Sequence, residues 1–233
     1  MSRADRASRA VLEGIASGRY PVGAELPAEA ELAEAVGVSR LTAREAIRDL
    51  AGRGVVTVRH GKRGVVADPS GWDLLDADLM RLRGTLLGES RRLALQLMEL
   101  RRITEIGATE LAATRIGDSQ LTVLEETLEQ MRAAEQTADV PLSVAADLRF
   151  HQLIVEATGN EFLAASYRPL SEVLQEVRMK TSAAESVRRD AIRWHAEILT
   201  ALRGHDVAAA VAAMRGHMDQ TAEAIDTLME EEA

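Results

Sequence analysis

The feature that most constrains the fold is a pair of short amphipathic helices separated by a glycine turn. The first is predicted over residues 28–36 and ends at Gly37, because glycine adopts the positive φ of a helix C-terminus at little cost. Ser39 can cap a second helix, predicted over residues 40–51. Three apolar residues share the inward face of that helix: Ala43, Ile47 and Leu50. Helix, short turn and helix is the arrangement of a helix-turn-helix, whose second helix enters the DNA major groove.

The pattern after Gly54 changes from a helical period to a period of two. Val56 and Val58 alternate with polar residues, residues 60–64 favour a turn, and residues 65–67 return as a second strand. This predicts a β-hairpin with basic residues at its tip. Together with a further helix near the N-terminus, it predicts a winged helix-turn-helix domain over residues 1–68.

Charge is distributed unevenly along the chain. The formal net charge is −9 and the pI is about 5.2, yet residues 40–63 carry seven basic against two acidic side chains. Nucleic acid would therefore bind to a local patch and not to the molecule as a whole. The chain has no cysteine, which excludes disulfides and thiolate metal sites. We see neither an 18-residue apolar run nor a secretory leader, so a cytoplasmic location is expected.

Residues 18–67 resemble the DNA-binding domain of GntR-family transcriptional regulators. The similarity joins a Tyr-Pro-x-Gly turn, Leu-Pro-x-Glu, Gly-Val-Ser-Arg and Arg-Glu-Ala in one order. The resemblance implies that Arg40 and Arg44 contact bases or phosphates, with Thr42 beside them. It also places the wing residues His60 and Gly61 at the minor groove. Arginine suits this role because it reads guanine O6 and N7 with two hydrogen bonds.

Two further basic residues, Arg48 and Lys62, are expected on the same DNA-binding surface. The alternative for the helix arginines is a solvated face in which Glu45 and Asp49 form ion pairs with them, and for Arg48 this alternative stays open. One position departs from the family pattern: Ala30 stands where an arginine is common. One DNA contact is therefore expected to be missing.

The second part of the chain is predicted to be entirely helical. Residues 69–83 are predicted to be a linker with a short helix that opens at Trp72. Trp72 has a simpler alternative role, which is to pack between the domains. Residues 84–233 contain amphipathic helices joined by short turns, which predicts an antiparallel bundle. The fold class is therefore mainly α: a winged helix-turn-helix domain followed by an all-helical antiparallel bundle.

The histidines suggest what the bundle binds. Asp147 and His151 are four residues apart and so share a helix face. His195 and His217 lie at similar distances on either side of a turn at His205, which places them at similar heights in a helical hairpin. One carboxylate and three imidazoles suit zinc, nickel or a similar divalent ion. The alternative is that each histidine is an unrelated core or surface residue.

The bundle also resembles a known domain. Leu100-Arg101, the run 147–151, Thr158-Gly159-Asn160, Trp194-His195 and His217 are similar to the FCD effector-binding domain of the FadR subfamily of GntR regulators. In metal-binding members the matching positions hold the ion, which implies Asp147, His151, His195 and His217 as ligands here.

Two further residues are implied as effector-binding. Arg101 is a candidate to bind a carboxylate, with an ion pair to Glu105 as the alternative. Asn160 is a candidate to contact the metal ligands without binding the ion itself, and its alternative role is a helix cap.

These patterns predict a ligand-responsive transcription factor and not an enzyme. We expect a homodimer that binds operator DNA, acting as a repressor of a catabolic operon, with a small carboxylate effector at the metal. The segment 72–79 resembles that of sugar-acid-responsive regulators, which makes a sugar acid the leading effector. The alternative function is a metal-dependent hydrolase, but no glutamate is placed as a general base and no nucleophile motif is present.

Overall fold

A computed structural model describes residues 2–59 and 62–229. The chain forms two compact units that divide between Leu87 and Gly88. The predicted fold class is confirmed: a small winged helix-turn-helix is followed by a helical bundle.

The first unit begins with three helices and a two-stranded wing. These are α1 (Arg3–Ala16), α2 (Glu29–Val36), α3 (Arg40–Gly52), β1 (Val56–Thr57) and β2 (Val65–Val66). The strands pair antiparallel. Both turn signals are confirmed: Gly37 adopts a φ of 70°, and Ser39 Oγ accepts the backbone N–H of Thr42 at 3.1 Å. The turn therefore fixes the direction in which α3 leaves α2.

Residues 69–83, the expected linker, pack into this first unit. They form a 3-10 turn at Pro69–Gly71 and the first part of α4 (Ala77–Leu87). Trp72 is buried in the core of the unit, and its indole N–H donates to the Ala67 carbonyl. Gly54 has a φ of 78°, and a Cβ there would lie 2.3 Å from the Gly71 carbonyl oxygen. Only glycine permits this close approach.

The described part of the second unit, residues 88–229, forms six helices. They are α5 (Ser90–Arg115), α6 (Asp118–Thr137), α7 (Val140–Ala157), α8 (Glu161–Thr181), α9 (Glu185–Arg203) and α10 (Val207–Leu228). Side chains cap three of them, since Asp139, Asn160 and Asp206 each accept a backbone N–H in the first turn that follows. These caps satisfy donors that a helix N-terminus leaves free.

Helix α7 lies at the centre of the bundle and packs against α5, α6 and α8. Its apolar residues, among them Phe150 and Ile154, join a core shared with α6, α9 and α10. The same helix buries Asp147 and His151. Two residues of the site described below thus lie on a helix that packs against three others. Among the described residues, no helix combines the length and apolarity needed to cross a membrane.

Candidate functional site

Helix α3 presents a basic face to solvent. Ala43, Ala46 and Leu50 are fully buried, whereas Arg40, Arg44 and Arg48 lie exposed on the other side. Thr42 is half-buried, and its hydroxyl lies 2.8 Å from that of Ser39 at the start of the helix. The structure therefore brings Arg40, Arg44 and Arg48 to one exposed surface, whereas Thr42 lies beside the start of the helix.

The wing adds further basic residues to this surface. A groove lies between α2, α3 and the wing, and six basic side chains line it: Arg40, Arg44, Arg48, Arg59, Lys62 and Arg63. Ala30, at the position where an arginine was expected, also lines this groove. The predicted contacts His60 and Gly61 lie outside the described residues. The described part of the wing is positively charged, and a DNA phosphate backbone attracts such charge.

The four predicted metal ligands meet inside the second unit. Asp147 and His151 on α7, His195 on α9 and His217 on α10 place one ligand atom each within 4.8 Å of one another. All four are at most 1% exposed. His151 Nε2 lies 3.1 Å from both His195 Nε2 and His217 Nε2. Asp147 Oδ1 lies 3.6 Å from His195 Nε2.

Neighbouring groups determine which imidazole nitrogens carry protons. His195 Nδ1 lies 2.6 Å from the Ala191 carbonyl oxygen, which can only accept. His151 Nδ1 lies 2.6 Å from the Glu105 carboxylate. In the neutral rings the proton therefore belongs on Nδ1, and both Nε2 atoms present lone pairs. Two lone pairs facing each other at 3.1 Å repel, and either a proton shared between the rings or a metal ion beside them would offset that repulsion.

The spacing of these atoms fits a metal ion. Two imidazole nitrogens, each about 2.1 Å from one ion, are about 3.0 Å apart at a right angle and about 3.4 Å apart at the tetrahedral angle. The observed 3.1 Å is closer to the right angle. The spacing is therefore compatible with coordination of one ion by these nitrogens.

Glu105 on α5 is the centre of a buried network beside His151. Its carboxylate accepts hydrogen bonds from Arg101 Nε at 2.5 Å and from the Tyr167 hydroxyl at 2.7 Å. Burial alone would raise the pKa of Glu105, but the charge of Arg101 helps to hold it well below its usual range. A charged Glu105 fixes the orientation of the His151 ring, as carboxylates do behind many metal-bound histidines.

Arg178 on α8 holds the predicted carboxylate ligand. Its Nε donates to Asp147 Oδ2 at 3.1 Å and its Nη2 to Asp147 Oδ1 at 2.7 Å. Burial would raise the pKa of Asp147, but Arg178 helps to hold it well below its usual value. Sequence reasoning did not single out Arg178. A signal existed, because Val173, Leu174, Val177 and Thr181 place it on the buried face of α8.

Burial keeps two of the histidines in the neutral form that a metal requires. It lowers the pKa of His195 to about 3. Burial also lowers the pKa of His217, and the neighbouring histidines and the charges of Arg178 and Arg101 lower it further. Both arginines are therefore close enough to act electrostatically on the cluster.

The two predicted effector-binding residues have different surroundings. Arg101 is fully buried and does form the ion pair with Glu105 that was its alternative role. Its Nη1 and that of Arg178 are buried without a hydrogen-bond partner among the described residues. Asn160 is exposed and caps α8, accepting from Phe162 and Leu163. An effector role for Asn160 stays a prediction that these contacts do not favour.

A winged helix-turn-helix joined to a helical domain defines the class of a DNA-binding transcriptional regulator. Family models agree: residues 3–66 match the gntR family of bacterial regulatory proteins, and residues 96–220 match the FCD domain. The chain belongs to the GntR family, in the FadR-type subfamily that carries this second domain.

Individual relatives are similar over most of the chain. The transcriptional repressor NanR of Enterobacter sp. strain 638 is 29% identical over 86% of this chain and 76% of its own. The galactonate operon transcriptional repressor of Escherichia coli K12 is 28% identical over 88% and 89%. The solved GntR structure of Streptococcus agalactiae has a TM-score of 0.54 at 30% identity, covering 94% of this chain and 99% of that one. The protein is therefore a DNA-binding regulator and not an enzyme.

Proposed function

We propose that this regulator is a homodimeric, cytoplasmic repressor of a catabolic operon, controlled by a small carboxylate bound at a divalent metal ion. The carrying observation is the pair of buried Nε2 atoms of His151 and His195, 3.1 Å apart, on two rings whose Nδ1 atoms each face an oxygen acceptor. Without a cation the Nε2 lone pairs repel each other. A metal ion would convert that repulsion into coordination.

The ion would be held by Asp147, His151, His195 and His217. Imidazole and carboxylate ligands favour zinc or nickel among the available divalent ions. When bound, the ion would supply a Lewis-acidic point to which an acidic molecule can attach. Glu105 and Ala191 keep the His151 and His195 rings turned towards it.

The effector is expected to be an anion. With neutral histidines, Arg101 and Arg178 balance Glu105 and Asp147, so a divalent ion would leave an excess of positive charge in a fully buried site. Uncompensated buried charge is costly. A carboxylate would offset it and could accept from the free Nη1 atoms of the two arginines. The name of the galactonate repressor among the relatives supports a sugar acid as the first candidate.

The DNA-binding part of the proposal assigns base contacts to α3. Arg40 and Arg44 would read base edges in the major groove, and Thr42, Arg48 and Lys62 would contact phosphates or neighbouring bases. The four basic side chains, Arg40, Arg44, Arg48 and Lys62, line one groove, which supports the assignment.

A dimer is proposed because one reading helix covers too little DNA for strong specificity, whereas two read a palindrome. The second unit offers a surface for a second copy of this chain. Ile103 on α5 is 75% exposed and Phe162 on α8 is 88% exposed. Both side chains are large and apolar, and we infer that a second copy covers them.

Elemental analysis tests the metal site. Purified wild type is expected to hold about one divalent ion per chain after dialysis, and His195→Ala substantially less, because it removes a ligand. His205→Asn is the control, since His205 lies in a turn and contacts the Ala113 carbonyl instead of the cluster. Equal metal content in wild type and His195→Ala would refute the assignment.

Fluorescence polarisation tests the DNA contacts. The probe is a duplex that wild type selects from a random pool. Arg44→Ala should weaken binding by about tenfold or more, the effect of losing a bidentate base contact. Arg132→Ala, which changes an exposed arginine of the second unit, is the control. If Arg40→Ala and Arg44→Ala both bind like wild type, α3 is not the reading helix.

A further inference from the structure

One acidic residue lies within the basic surface of the first unit. Glu29 is the first residue of α2, and its carboxylate contacts both arginines that are proposed to read bases. Oε1 lies 3.3 Å from Arg44 Nε, and Oε2 lies 3.5 Å from Arg40 Nε. One carboxylate therefore bridges two guanidinium groups, one on each oxygen.

Neither stability nor DNA affinity explains this arrangement. The Arg40 and Arg44 side chains are 75% and 53% exposed, and ion pairs of such exposed groups stabilise proteins little. A negative charge at the N-terminus of α2 is favourable, but that effect does not require contact with the arginines. Facing DNA, the same charge repels phosphates and so lowers affinity for any sequence.

The atoms that make these contacts point to a role in orienting the two arginines. Both arginines approach Glu29 through Nε. At these ion-pair distances one carboxylate attracts both guanidinium groups and restricts the directions that they take. Hydrogen bonding to guanine O6 and N7 requires two donors in a fixed direction. The carboxylate can thus limit the motion of both groups before DNA is present.

We propose that Glu29 is a positioning residue that sets base specificity by orienting Arg40 and Arg44 before DNA binds. The inference rests on the proposed base contacts of these two arginines. Loss of the carboxylate frees both side chains to follow nearby phosphates. Specificity falls as a result, while affinity for unrelated DNA rises.

Glu29→Gln, Glu29→Ala and the full-length wild-type protein provide the test. Each protein selects from a pool of random duplexes, and polarisation then measures its affinity for the wild-type consensus and for a scrambled duplex. We expect the ratio of the two affinities to fall by about tenfold, the discrimination of one good bidentate contact. Binding to the scrambled duplex should tighten. Glu34→Gln is the control, because it removes one charge from an exposed position of the same helix.

Three results would overturn the proposal. One is an unchanged ratio in both Glu29 variants. Another is the same gain in non-specific binding and the same loss of ratio in Glu34→Gln, which would indicate a general charge effect. The third is a loss confined to a cytosine position, which would mean that Glu29 itself reads the cytosine amino group.

A parallel selection with Arg44→Ala separates this inference from the function on which it depends. If Arg44→Ala retains the wild-type consensus, the proposed base contact is wrong. If Arg44→Ala loses a guanine position that both Glu29 variants keep, only the role of Glu29 is wrong.

Discussion

At the scale of single residues, Asp147 has two competing partners. Arg178 occupies both of its oxygens, and Oδ1 is also the atom that faces the histidines. The arginine compensates the buried charge when no ion is bound. An ion would share that task, and the arginine could then turn its free Nη1 to an effector.

This sharing predicts that the stability cost of Arg178→Met depends on metal. In chelator the substitution leaves Asp147 buried without a partner, and we expect a loss of about 3–5 kcal/mol in the free energy of unfolding. With zinc the loss should be smaller, because the ion compensates the carboxylate. Urea unfolding under the two conditions measures the difference.

Arg188→Met is the matched control for that prediction. Arg188 is also a buried arginine, and its Nε donates to Glu135 at 2.6 Å, away from the cluster. Its cost should be the same with and without zinc. A loss for Arg178→Met that zinc does not reduce would mean that the ion does not bind Asp147.

At the scale of elements, the α9–α10 hairpin sets the separation of two histidines. Trp194 and Gly216 are the chain neighbours of His195 and His217. A Cβ at Gly216 would lie 2.3 Å from the Trp194 ring, so the indole packs directly on the α10 backbone. The His195 and His217 ring centroids are 4.5 Å apart. The small residue permits this close approach.

Gly216→Ala is therefore expected to weaken metal binding. Inserting a methyl group into this contact forces the helices apart at a cost of about 1–3 kcal/mol, and His217 moves with its helix. Zinc affinity by competition with a chelating dye is the measurement. Adding Trp194→Ala should recover much of the zinc affinity, because it removes the clash with the new methyl group. A double variant that binds zinc no better than Gly216→Ala would contradict this explanation.

The elements also show what sequence alone could predict. Gly37 and Ser39 determine the turn before α3 by local chemistry, and a local pattern suffices for such signals. The pairing of His195 with His217 was predicted because the two arms of a hairpin have a known register. Arg178 was missed because a charged residue is normally exposed, and its burial depends on Asp147 from another helix. No pattern within α8 contains that partner.

At the scale of the whole molecule, Ile103→Asp tests the proposed dimer surface. Burying a charge in an apolar contact between two copies is unfavourable, so the variant should sediment as a monomer at micromolar concentration where wild type is a dimer. Leu142→Asp is the control, because Leu142 is 42% exposed on α7. Dimers of unchanged stability in Ile103→Asp would exclude Ile103 from the interface.

Effector binding at the buried cluster is expected to change the affinity of the DNA-binding surface for its duplex. The most direct test is the dissociation constant for the selected duplex, measured by polarisation with zinc and with or without sugar acids and hydroxy acids such as galactonate, gluconate and lactate. In wild type, at least one of these acids should change the constant by about fivefold or more, the usual range of coupling between sites. His195→Ala should still bind the duplex but not respond. An equal response in both proteins, or none in wild type to any acid of the series, would contradict the account.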